Sequence, residues 1–344
     1  VVLLVVLAAL GTGISAAGPT FWTVASAADF LRGTSDGVFV SLEGIVTLGP
    51  RLANRLTSTP AQVWSLTAAA DGTLWAGTGG DGRLLRLRAG QNEETAFDAD
   101  EASIFAVAAA GTRVYAASSP DGRVYVIEGA NPAKPFFDPA EKYIWALAVD
   151  AAGGLWVGAG NPAVIYRVDA NGVSQVLYKP PAAHVVCLVR DAAGRMLAGT
   201  ESPGRLYRFE GDKPFVLLDS GLTELRAIAV APNGVLFAAA VARGDESAAS
   251  GGEAASVAIA APPAPPSGAA PAATTPSGRR SIVYRIEATG TWEPLWETPD
   301  VVYDVAASND GGVLAASGPE GRLYRIQSTR EVFLLTGVDA RQVT

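Results

Sequence analysis

From about residue 60 to the end of the chain, short apolar runs alternate with clusters of Gly, Asp and Asn in a fixed order. Each cycle has an apolar run often carrying an aromatic residue, a Gly turn, a second run, a Gly-containing loop, and a third run ending in Tyr-Arg. The first cycle reads Val63-Trp64-Ser65-Leu66, then Gly72-Thr-Leu-Trp75-Ala-Gly77-Thr78, then Asp81-Gly-Arg-Leu-Leu85. Runs this short, rich in β-branched and aromatic residues and bounded by turn formers, predict strands joined by hairpins. No intervening stretch sustains the 3.6-residue period of an amphipathic helix.

Anchoring each cycle on the aromatic-type position of its first run gives Trp64, Phe105, Trp145, Val186, Arg226 and Tyr303. The spacings are 41, 40, 41, 40 and 77 residues, the last being one period plus an insertion of about 37. Weaker runs such as Ser174-Gln-Val-Leu-Tyr178, Phe215-Val-Leu-Leu218 and Glu331-Val-Phe-Leu-Leu335 supply a fourth strand. Four strands in about 40 residues is the arithmetic of a propeller blade. A parallel β-helix competes, but its turns are shorter and would not hold three reversals. The expected fold is therefore an all-β propeller with six readable repeats. Residues 37–58 read as the two outer strands of a further blade whose inner strands are absent, which favours a seven-bladed design with its ring left incomplete over six blades plus an N-terminal strand.

The residues also resemble known bacterial repeats. Ile144-Trp-Ala-Leu-Ala-Val-Asp150 with Gly154-Leu-Trp-Val-Gly158 is similar to the two-component-regulator propeller repeat. Leu-Trp-Ala-Gly-Thr and Asp-Gly-Arg-Leu-Tyr-Arg resemble quinoprotein-type and WD40-like repeats. The resemblance covers about residues 60–344 and implies an extracytoplasmic β-propeller repeat protein. It implies no particular activity, because such repeats host many.

Two segments depart from the pattern. Val1–Leu10 is wholly apolar and precedes Ser15-Ala16-Ala17, which fits the remnant of a signal peptide over residues 1–17, with the propeller domain over 18–344. The run is too short to span a bilayer unaided, so no membrane span is expected in the mature chain. Between residues 241 and 280 the composition shifts to Ala, Pro, Gly and Ser, predicting a disordered insertion inside the fifth blade.

Composition narrows the chemistry. The formal net charge is −8 and no basic run appears beyond Arg279-Arg280, which argues against nucleic acid as a partner. Cys187 is the single cysteine and His184 the single histidine, so an intrachain disulfide and a His-rich metal site are excluded. Cys187 sits in an apolar run and reads as a small buried hydrophobe. No nucleophile elbow, zinc pattern or Walker loop is present. Asp169-Ala-Asn171-Gly172 resembles the start of a calcium loop without its later carboxylate, and a hairpin turn explains it better.

Residues just before or on each first strand should reach the mouth of the central channel. They are Tyr143, His184, Glu224, Arg226, Asp300, Tyr303 and Asp304, and they suit a small polar ligand or a protein partner. Trp64, Phe105 and Trp145 read as packing between blades, and Arg226 interrupts their aromatic series. The repeated Tyr-Arg reads as a blade-surface feature. The expected role is a non-catalytic extracytoplasmic scaffold or sensor module that binds a ligand or protein and needs no cofactor. The alternative is a hydrolase or lyase of the calcium-dependent lactonase type using channel carboxylates. A quinone-dependent dehydrogenase is a third option.

Overall fold

The computed structural model describes residues 37–41, 45–49, scattered positions from 53 to 60, 62–129, 131–242, 280–338, 340 and 343. The readings of residues 1–17 as a signal peptide and of 243–279 as a disordered insertion lie outside the described residues. Among the described residues every regular element is a β-strand.

Among the described residues, six four-stranded antiparallel units follow one another at the expected period. The first comprises Gln62–Ala68, Leu74–Gly79, Arg83–Leu87 and Glu94–Asp98. The second comprises Ser103–Ala110, Arg113–Ser119, Val124–Glu128 and Lys134–Phe137. The third comprises Tyr143–Val149, Leu155–Gly160, Val164–Val168 and Ser174–Tyr178. The fourth comprises His184–Arg190, Met196–Glu201, Arg205–Glu210 and Lys213–Asp219. The fifth comprises Glu224–Val230, Leu236–Ala242, Arg280–Ile286 and Trp292–Thr298. The sixth comprises Val301–Ala307, Val313–Gly318, Arg322–Ile326 and Val332–Gly337. The first strands pack side by side in chain order, as the innermost strands of blades around an axis do.

Burial follows the hydrophobic pattern most closely in the second strands. The second strands Leu155–Gly160 and Met196–Glu201 are buried at every residue, because a neighbouring blade covers each face. Alternate side chains therefore serve opposite interfaces. Leu155 and Val157 pack with Ala106, Tyr115 and Val124 of the second blade, whereas Trp156 packs with Val185, Ala198 and Phe209 of the fourth. A similar layer joins the fourth blade to the fifth through Leu197, Leu225, Ile228 and Tyr284. Glycine lets these layers close. A Cβ on Gly199 would lie 2.5 Å from the Leu225 carbonyl oxygen, and one on Gly158 would lie 2.8 Å from Val185 Cγ1.

The fifth blade stays continuous across the insertion, since Val241 pairs with Ser281 and Ala242 with Arg280. The second strand thus runs on to Ala242 and the third begins at Arg280, each inside the segment assigned to the insertion.

Two expectations need correction. The described strands within residues 37–58 do not stand as the outer strands of a separate blade. Val38–Ser41 pairs antiparallel with Val332–Gly337, the outermost strand of the sixth blade, and Val46–Leu48 pairs with Val38–Ser41 in turn. The open edge of the sixth blade offers unpaired backbone groups, and this hairpin satisfies them. Leu56 instead packs on Ala76, Leu85 and Leu87 of the first blade.

The Tyr-Arg repeat is likewise split between interior and surface. Tyr125, Tyr166, Tyr207 and Tyr324 lie against Phe97, Phe137, Tyr178 and Trp296 of the preceding blade, with ring centroids 4.7–5.6 Å apart. Val126 follows Tyr125, whereas the arginines that follow the other three turn outward to acidic partners, as Arg167 does to Asp150 at 2.7 Å. Strand alternation explains this, because consecutive residues face opposite sides of the blade.

Candidate functional site: the central cavity

Every first strand carries a register shift at its anchor residue. The shift falls between Val63 and Ser65, Ile104 and Ala106, Ile144 and Ala146, Val185 and Cys187, Leu225 and Ala227, and Val302 and Asp304. A β-bulge leaves one residue unpaired and re-aims its side chain. Here the bulged residues are Trp64, Phe105, Trp145, Val186, Arg226 and Tyr303, and all six line one cavity of about 490 Å³.

One side of the cavity is aromatic. Phe105 and Trp145 are stacked with centroids 4.8 Å apart and planes 7° from parallel, and Trp64 meets Phe105 edge-on at 5.2 Å. Trp145 also stacks on Tyr143 at 5.7 Å and donates from Nε1 to His184 Nδ1 at 3.0 Å. Gly160 makes room for that pair, because a Cβ there would lie 2.8 Å from Trp145 Nε1 and closer still to His184 Nδ1. The anchor aromatics do pack between blades, as expected, but they also form the cavity wall. The bulge that exposes them has no signature in strand alternation.

The other side is charged. Arg226 donates from Nη2 to Glu224 Oε2 at 2.8 Å, and its guanidinium carbon lies 5.1 Å from the Tyr303 ring centroid. Glu224 is buried, with its carboxylate held by that ion pair. Glu201, also buried, pairs in register with Glu224 where the fourth and fifth blades meet, and it lines the cavity too.

Asp304 follows the anchor in the sixth blade, where the other blades carry Ser65, Ala106, Ala146, Cys187 and Ala227. Asp304 is exposed to the cavity. Desolvation raises its carboxyl above the ordinary aspartate range, and the hydrogen bond from the Val305 amide only partly opposes this. Cys187 lies in the same wall, where burial pushes its thiol well up and its Sγ approaches the Leu225 carbonyl at 3.5 Å. It is an inert wall residue.

Of the seven residues expected at the channel mouth, Glu224, Arg226, Tyr303 and Asp304 line this cavity. Tyr143 and His184 sit behind Trp145 and support it. Asp300 is not part of the site. It lies beside Tyr324, whose hydroxyl is 3.4 Å from Oδ2, and Arg322, and desolvation raises its carboxyl as well. It precedes the strand rather than belonging to it, so the blade-edge loop carries it away from the axis.

Among the described residues no three His, Cys, Asp or Glu side chains converge as a metal site. The carboxylate trio Glu224, Asp300 and Asp304 that a calcium lactonase reading requires is not assembled. Asp169 is a turn residue, its Oδ1 accepting from the amides of Asn171 and Val173 at 2.8 and 2.9 Å.

No protein-family model and no curated protein matches the chain. Solved structures do. A catalytically inactive variant of virginiamycin B lyase from Staphylococcus aureus, determined with quinupristin, matches with a TM-score of 0.56 and 13% identity over 88% of this chain and 87% of that one. The WD40 repeats of RRP9 match at 0.57 and 11% identity over 83% of each chain. The extracellular domain of BT4673 from B. thetaiotaomicron matches at 0.57 and 12% identity, covering 84% of this chain and 36% of that one. At these identities the likeness speaks to architecture alone, and with the repeat and the strand pairing it makes this chain a β-propeller repeat protein.

Proposed function

We propose that the protein is a non-catalytic binding propeller whose central cavity takes a small ligand. The observation that carries this reading is the convergence of six bulged residues on one cavity, four of them aromatic and one a guanidinium already held by Glu224. A cavity of about 490 Å³ lies in the range used for small-molecule recognition, and its apolar wall with a few fixed polar groups suits binding and orientation. His184, the single histidine, has Nδ1 engaged by Trp145, and Cys187 is held as a thiol, so neither is set up as an activated base or nucleophile.

Exposure to the extracytoplasmic side is part of the proposal. It rests on the apolar run Val1–Leu10 ahead of Ser15-Ala16-Ala17, and on likeness to propellers that include an extracellular domain. Among the described residues no helix is long and apolar enough to cross a membrane. A scaffold or sensor module is the role such a site supports.

Trp64 and Trp145 in the wall make tryptophan emission the natural reporter. Titration with small polar compounds of differing charge should shift the emission saturably, and Trp145→Ala should abolish the shift in a protein that still folds. Chemical turnover of a bound compound, lost on Arg226→Ala, would sink the non-catalytic reading.

A further inference from the structure

We infer that the central cavity selects a small organic cation, an alkylated ammonium group being the best-fitting chemistry. This rests on the channel-binding reading above and adds the ligand class.

Charge is the first argument. The lining holds three carboxylates, Glu201, Glu224 and Asp304, against one guanidinium, Arg226. Arg226 is committed to Glu224 at 2.8 Å, so that guanidinium leaves the charge of Asp304 in place. An anionic ligand would meet that field with the guanidinium already engaged.

Asp304 supplies the second. It stands where five other blades place Ser, Ala or Cys, and among the described residues no cation pairs with it. Although Asp304 is exposed to the cavity, desolvation raises its carboxyl, the condition a bound cation relieves. A neutral ligand would leave that carboxylate uncompensated.

The walls supply the third. Trp64, Phe105, Trp145 and Tyr303 line the cavity, and aromatic rings attract cations that are poorly hydrated. The protein already uses one face in this way, since Arg226 lies over Tyr303 at 5.1 Å. Tetraalkylammonium groups combine an apolar surface with a diffuse charge, matching aromatic panels and a lone carboxylate together.

The test uses three molecules of one shape titrated into the full chain with tryptophan emission and calorimetry as readouts. They are choline, its uncharged carbon counterpart 3,3-dimethylbutan-1-ol, and the anion 3,3-dimethylbutanoate. Choline should bind at least tenfold more tightly than the alcohol, and the carboxylate should bind more weakly than either. Asp304→Asn, and Asp304→Ser which copies the residue at position 65, should bring choline down to the level of the alcohol without changing alcohol binding. Asp300→Asn, outside the cavity, should leave choline affinity unchanged. If the alcohol or the carboxylate binds as well as choline, or if both Asp304 variants keep full choline affinity, the cation assignment is wrong and the channel-binding reading stands. If none of the three binds, both readings fall.

Discussion

The inner strands pack in series from the first blade to the sixth, and the same leucine-to-alanine change at equivalent positions probes where that series ends. Two residues beyond the anchor, Val107, Leu147, Leu188, Ile228 and Val305 are only 6–8% exposed, whereas Leu66 is 60% exposed. Leu→Ala removes three carbons, worth about 2.4 kcal/mol when fully buried at roughly 0.8 kcal/mol per methylene. Leu188 realises nearly all of this and adds a cavity between Ala198 and its neighbours, so Leu188→Ala should cost about 3 kcal/mol. Leu66 is about two-fifths buried and water can fill the space, so Leu66→Ala should cost about 1 kcal/mol or less. At roughly 2–4 °C per kcal/mol for a domain of this size, the melting temperatures should fall by about 6–12 °C and at most about 4 °C. Thermal and urea melts followed by circular dichroism at matched concentration would measure both. Losses within about 0.5 kcal/mol of each other would refute the reasoning, because Leu66 would then be covered in solution.

Further expectations follow from single residues. Burial alone would raise the Asp150 carboxyl, but the Gly154 amide, Arg167 and Trp156 outweigh it and hold the group below the ordinary aspartate range. Its stabilisation is therefore present above the unfolded-state value of about 3.9 and lost as pH falls through the lower folded value. Asp150→Asn should cost about 1–3 kcal/mol at pH 7, and urea melts should show the difference shrinking toward pH 2. Asp304 has the opposite sign. Its raised carboxyl favours the folded state while protonated, so its contribution is lost as pH rises from about 3.9 through the folded value. Asp304→Asn should flatten that part of the stability profile and melt no lower than the parent at pH 7. Gly160→Ala would drive a methyl into His184 and Trp145, costing about 1–3 kcal/mol and changing the tryptophan emission spectrum. An unchanged spectrum would mean that the Trp145–His184 contact does not organise the wall.

The repeat was legible because each blade obeys local rules. Alternation in Gly154-Leu-Trp-Val-Gly158 places Leu155 and Trp156 toward different neighbours, and left-handed glycines at 72, 153, 194, 234 and 311 mark equivalent hairpins. Arg226, Tyr303, Glu224 and Asp304 could be placed near the axis because position along a first strand sets distance from it. Period and turn chemistry are properties of neighbours in the chain, so sequence alone determined the strands, their order and the blade architecture.

What the tertiary structure decided concerns direction and partner. The bulges that bring Trp64, Phe105 and Trp145 into the cavity wall depend on how two paired strands slip, which no single strand encodes. Asp300 left the site because a loop, unlike a strand, has no fixed bearing on the axis. Val38–Ser41 joined the sixth blade because an open sheet edge accepts whichever strand can reach it, and backbone hydrogen bonding is indifferent to side-chain pattern. Asp304 read as one acid among several until its five small counterparts and its lack of a paired cation among the described residues came together in space.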